Sequence, residues 1–102
     1  MKSPILIAAL LLSFGAQAAD YCTELAMDAE QIMSARQNGG SIERVNQAFS
    51  IKYSGDQLFV ARAIIKDAYN TPIFSTNENK LKVVRALGSR WYEKCQRFQA
   101  GY

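Results

Sequence analysis

The sequence predicts an all-α fold, a small bundle of about four helices closed by one disulfide between the first and last helix. Three observations carry that expectation. Apolar residues recur at spacings of three and four in successive runs, no stretch alternates as a half-buried strand does, and Cys22 and Cys95 stand near the two ends of the chain that follows an apolar leader.

Residues 1–18 have the three-part organisation of a secretory signal. Lys2 supplies a positive start, Ile5 to Leu12 form an unbroken apolar stretch, and Ala16-Gln17-Ala18 offers the small residues that a signal peptidase needs. Cleavage is expected after Ala18, leaving residues 19–102 as a single helical domain exported to the periplasm. The leader is shorter than the about 20 residues needed to cover roughly 30 Å of hydrocarbon, so no stable membrane insertion is expected. Ala19-Asp20-Tyr21 before Cys22 puts an acid and an aromatic where lipoprotein processing wants small residues, which argues against a lipid anchor. The short signal and its Ala-x-Ala end point to a Gram-negative bacterium or its phage.

Such a domain is near the size at which a core alone gives modest stability. Two cysteines delivered to an oxidising compartment are expected to pair, the alternative being two free thiols. A bridge closing a loop of about 70 residues contributes on the order of 4 kcal/mol by restricting the unfolded chain.

The first helix is expected to run from a cap at Asp20 to Asn38-Gly39-Gly40, with Cys22, Leu25, Ala29, Ile32, Met33 and Arg36 at helical spacing. Glu24, Asp28 and Glu30 suit its N-terminal half, and Arg36 its last turn, because each opposes the local end of the helix dipole. The second starts at Ser41, a good N-cap, and places Ile42, Val45 and Phe49 inward. After a break at Tyr53-Ser54-Gly55, Asp56 is expected to cap a third run of Leu58, Val60, Ala61, Ile64, Ile65, Ala68 and Tyr69, apolar over most of its circumference and so central. Asn70-Thr71-Pro72 ends it, because proline disfavours helical geometry in the residue before it. Ser75 to Glu78 matches the capping box, and the last helix follows with Leu81, Val84, Gly88, Trp91, Cys95 and Phe98 on one face. Gly88 in that face costs about 1 kcal/mol of helix propensity against alanine, which makes sense where another helix packs close.

The search for chemistry is mostly negative. There is no histidine, which removes the commonest general base, the usual triads and most zinc sites. Both cysteines are assigned to the bridge, and Gly39-Gly40 has neither the lysine nor the strand of a phosphate loop. Glu24 and Asp28, four apart, are the carboxylate pair with which a wall hydrolase would have to work, and equally two solvated acids near a helix start. Of the aromatics, Tyr69 and Tyr92 are the ones expected to show an edge. No catalytic residue, metal or cofactor is expected.

Charge is uneven. Residues 19–50 hold five acids against Arg36 and Arg44, whereas residues 51–102 hold nine bases against four acids. The split can steer an acidic partner to the second half, or let antiparallel helices attract one another. Nucleic acid is not an expected partner at so low a net charge. The basic stripe Lys80, Lys82, Arg85, Arg90, Lys94 and Arg97 is either a solvated face or a binding one.

The run from Cys22 through Ala29-Glu30-Gln31-Ile32-Met33-Ser34-Ala35-Arg36-Gln37-Asn38-Gly39, with Ala68-Tyr69-Asn70-Thr71-Pro72 and the closing Trp91-Tyr92-Glu93-Lys94-Cys95, resembles a group of small exported two-cysteine helical proteins of Gram-negative bacteria and their phages. The resemblance covers nearly all of residues 19–102. It implies fold and the cysteine pair, and brings no activity with it. Arg36-Gln37 and Tyr69-x-x-Pro72 stand out because a generic bundle needs neither, although Arg36 also suits a helix end and Pro72 a helix stop. In size and plan the chain is also similar to phage-encoded periplasmic lysozyme inhibitors and to acid-stress chaperones.

The expected function is an exported, non-enzymatic protein-binding module, an inhibitor or modulator of a cell-wall hydrolase or other envelope protein, working as a monomer or weak dimer. Its binding candidates are Arg36, Gln37, Tyr69, Lys82 and Arg85. The alternatives are a periplasmic acid-stress chaperone and a carboxylate-based wall hydrolase.

Overall fold

A computed structural model describes residues 21–99. The expected signal peptide, its cleavage after Ala18 and the cap at Asp20 lie outside the described residues. These residues form four helices and no strand: α1 over residues 21–37, α2 Ile42–Lys52, α3 Gly55–Tyr69 and α4 Asn77–Gln99.

Each boundary has a local cause. At the end of α1, Gly39 adopts φ +85°, its N–H reaches Arg36 O at 3.1 Å, and Gly40 N–H reaches Ala35 O at 2.8 Å. This is a Schellman turn, in which glycine takes the left-handed residue at no steric cost. Ser41 caps α2 as expected, its Oγ accepting from Arg44 N at 3.2 Å. The cap of α3 is Ser54 rather than Asp56, and no side chain bonds there; Asp56 sits inside the first turn, where its charge still complements the helix dipole. At α4 the expected capping box is displaced by one residue. Thr76 Oγ1 accepts from Asn79 N at 3.1 Å and Thr76 O accepts from Lys80 N, so Thr76 is the cap and Ser75 lies before it.

The core gathers Ile32 and Met33 from α1, Val45 and Phe49 from α2, Ile64 and Ile65 from the central α3, and Leu87 from α4. The disulfide joins Cys22 of α1 to Cys95 of α4, with Cα atoms 5.5 Å apart and a sequence separation of 73. Both cysteines are buried. A Cβ built on Gly88 would lie 2.7 Å from Cγ of Glu30, so α1 does pack close there.

The apolar face expected of α4 is only partly buried. Leu87, absent from that expectation, is fully buried, whereas Leu81 and Phe98 are 49% and 78% exposed. Leu81 lies near the N-terminal end of α4 and Phe98 near its C-terminal end, on either side of the buried Leu87, Gly88 and Cys95.

Candidate binding surface

Three of the five sequence-selected residues meet at one place. Arg36 and Gln37 close α1, and both reach the α3–α4 connection. Arg36 Nε donates to Thr71 O at 2.9 Å, and its guanidinium lies 5.2 Å from the Tyr69 ring centroid. Gln37 is buried. Its Nε2 donates to Pro72 O at 2.9 Å, its Oε1 accepts from Phe74 N at 2.9 Å, and its backbone O accepts from Lys80 Nζ at 2.7 Å. Tyr69 OH donates to Gly40 O at 2.8 Å. The cluster therefore clamps residues 71–74, a strand-like connection with no internal ladder, against the end of α1. Burial is the main reason that the Tyr69 phenol is pushed above its usual range; Arg36 opposes the shift and Glu43 adds to it.

Sequence reading missed a second polar node. Asp28 was expected among solvated acids, yet it is only 4% exposed. Oδ1 pairs with Lys52 Nζ at 2.9 Å and Oδ2 accepts from the Tyr53 hydroxyl, so α1 is tied to the end of α2 and the turn after it. The bond to Asp28 is the main cause raising the Lys52 ammonium above its usual value. Burial, then the bond to Asp28, raises the Tyr53 phenol. Beside the node, Glu24, Asp28 and Tyr53 line a cavity of about 30 Å³. It has room for about one water molecule and none for a sugar ring. The one available signal was that Asp28 falls four residues before Ile32 and one before Ala29, on the inward side of α1.

The basic residues of α4 divide. Lys80 is spent on Gln37 O, Arg90 pairs with Asp67 at 2.7 Å, and Lys94 Nζ lies over the Trp91 ring at 4.4 Å. Lys82 and Arg85, the other two candidates, are exposed, and no hydrogen bond or ion pair among the described residues joins either to the Arg36 cluster, although Lys80, two residues before Lys82, is tied to it.

Concave surface lies elsewhere, around α3. An apolar groove of about 210 Å³ opens beside the disulfide, lined by Tyr21, Leu25, Val60, Trp91, Lys94 and Phe98. A second depression, of about 360 Å³, shares Trp91 and Lys94 with it and continues past Ala63 to Lys66 and Asn70. A third, of about 630 Å³, shares Lys66 and Asn70 and runs over Arg62 and Tyr69 to Asn46 of α2. Phe59, on the outer face of α3 next to Val60, is 76% exposed.

Comparison with models of known protein families, with curated proteins and with solved structures returned no match.

Proposed function

We propose that the chain is an exported, non-enzymatic protein-binding module of the periplasm that inhibits or modulates a cell-wall hydrolase or another envelope protein. The observation that carries this reading is the apolar groove at the disulfide end. Its Trp91, Val60 and Leu25 floor is held between three helices, and Phe98 stands over it almost fully exposed. Aromatic side chains on a stiff support are the commonest anchors of protein recognition, because they bury a large area while losing few rotamers. The bridge between α1 and α4 closes the same end, so the groove is formed before a partner arrives and little ordering cost accompanies binding. The secretory leader and the resemblance to small exported two-cysteine proteins support the location.

The test uses the oxidised protein, immobilised and exposed to periplasmic extract, then to the purified hydrolase or envelope protein that it retains. Saturable binding that changes the retained enzyme's activity is expected, and Phe98→Ala is expected to weaken it about tenfold or more. Repeated failure of the disulfide-intact protein to retain any partner would count decisively against the reading.

A further inference from the structure

Two of the depressions lie side by side between α3 and α4 and share Trp91 and Lys94, so they form one trough; the third, between α2 and α3, meets it at the exposed ridge made by Lys66 and Asn70. Its character changes along its length. At the disulfide end it is apolar, and beyond Lys94 its rim is cationic. Arg62, Lys66 and Lys94 are exposed there, and none is paired with a carboxylate among the described residues: Arg62 donates only to Ser50 Oγ at 3.4 Å, and Lys94 rests on Trp91. Asp67 is the carboxylate in the trough, and Arg90 and Trp91 Nε1 already occupy it. Phe59, Arg62 and Lys66 are three to four residues apart, so they share the outer face of α3.

Resting on the protein-binding reading, we infer that this trough takes an acidic polypeptide segment of the partner, with one large apolar side chain seated in the groove between Val60, Trp91 and Phe98 and carboxylates against Lys94 and Lys66, Arg62 adding its charge from one turn away on the outer face of α3. The argument is complementarity. Unpaired cations on a concave rim attract a segment of opposite sign, while the apolar end fixes its register. The dimensions agree. Val60 to Asn70 covers about three helical turns, roughly 15 Å, which an extended segment of about five residues spans. An anionic bilayer meets the same charges but is flat, whereas the groove under Phe98 is concave.

The experiment uses the full oxidised chain with benzoylphenylalanine replacing Phe59 or Phe98, and replacing Ser89 on the outward face of α4 as the control. Each variant is checked for native helicity, irradiated in periplasmic extract, and its cross-linked peptides are sequenced. The expected adducts form at positions 59 and 98 but not 89, on peptides of net negative charge. Their yield is expected to fall about fivefold between about 50 and about 300 mM salt, and similarly with Lys66→Glu combined with Arg62→Glu. Neutral or basic adduct peptides, or yields indifferent to salt and to charge reversal, would overturn the acidic segment. Adducts at position 89 alone would overturn the surface while leaving protein binding standing, and no protein adduct at any position would remove both. Sedimentation with vesicles of phosphatidylglycerol, lost on Lys66→Glu, together with lipid adducts at Phe59, would replace the polypeptide by a membrane.

Discussion

The Tyr53 hydroxyl donates to Oδ2 of Asp28 while the ammonium of Lys52 holds Oδ1 at 2.9 Å, so two successive residues at the end of α2 grip one buried carboxylate of α1. Removing the carboxylate orphans a phenol and an ammonium together. Asp28→Ala is therefore expected to destabilise the fold by about 2–3 kcal/mol, and Tyr53→Phe, which leaves the ion pair, by about 1–2 kcal/mol. Urea denaturation of the oxidised variants measures both, and equal losses would show that Lys52 contributes nothing beyond the phenol.

Alkaline pH acts on the same node. Lys52, Tyr53 and Tyr69 all have pKa values raised above the ordinary 10.5, 10.0 and 10.0. A group whose folded pKa exceeds its unfolded one keeps its proton longer in the folded state, so its stabilising contribution is complete below the unfolded value and is lost as pH rises through the folded value. Stability is expected to be level with respect to these groups up to about pH 9 and to fall above about pH 10. Tyr53→Phe should shallow that fall. A denaturation midpoint that stays constant from pH 9 to about pH 11 would contradict the assignment.

Gln37 uses its amide twice on the α3–α4 connection, donating to Pro72 O and accepting from Phe74 N. Gln37→Leu keeps the volume and strands both backbone groups, which is expected to cost about 2–3 kcal/mol. Hydrogen exchange locates the loss: the amide of Phe74 should exchange faster in the variant, whereas core amides of α3 should follow only the global change.

Gly88 faces the Glu30 side chain at a distance no Cβ tolerates without movement. The Glu30 side chain that must give way is flexible, so Gly88→Ala is expected to be only slightly destabilising, by about 0.5 kcal/mol or less, although alanine is the better helix former. In a Glu30→Ala background the same substitution should become stabilising by about 0.5–1 kcal/mol, because only the propensity gain remains. A thermal-melt double-mutant cycle reads the sign change, and additivity would mean that the two helices do not meet there.

How much of this was legible in the sequence depended on what each signal measures. Periodicity reports which side of a helix is apolar, and so the four helices, Ala29, Ile64 and the inward placement of both cysteines were readable, as was the close approach at Gly88. Periodicity does not report where a neighbouring helix stops. Leu81 and Phe98 share the apolar face of α4 and are exposed near its two ends, while Leu87, off the assumed stripe, is buried. Caps that differ by one residue, Ser75 against Thr76, are chemically alike and are decided by the loop before them. Arg36, Gln37 and Tyr69 stood out as residues a generic bundle does not need, and the structure gives them internal partners, Thr71 O and Pro72 O on the connection after α3 and Gly40 O after α1. Asp28 was misread because a carboxylate is assigned to solvent by default. Its partners, 24 and 25 residues away, become visible only once α2 folds back on α1. The trough was not readable at all, since it is made from residues of three helices that only packing brings together.

The link from Cys22 to Cys95 encloses every inter-helix connection in one covalent ring. A single proteolytic cut in any of those connections therefore opens the ring without releasing a fragment. The nicked molecule keeps both pieces, runs as one species on a gel without reductant and as two with it, and retains a route back to the folded state. That is a form of durability separate from thermodynamic stability.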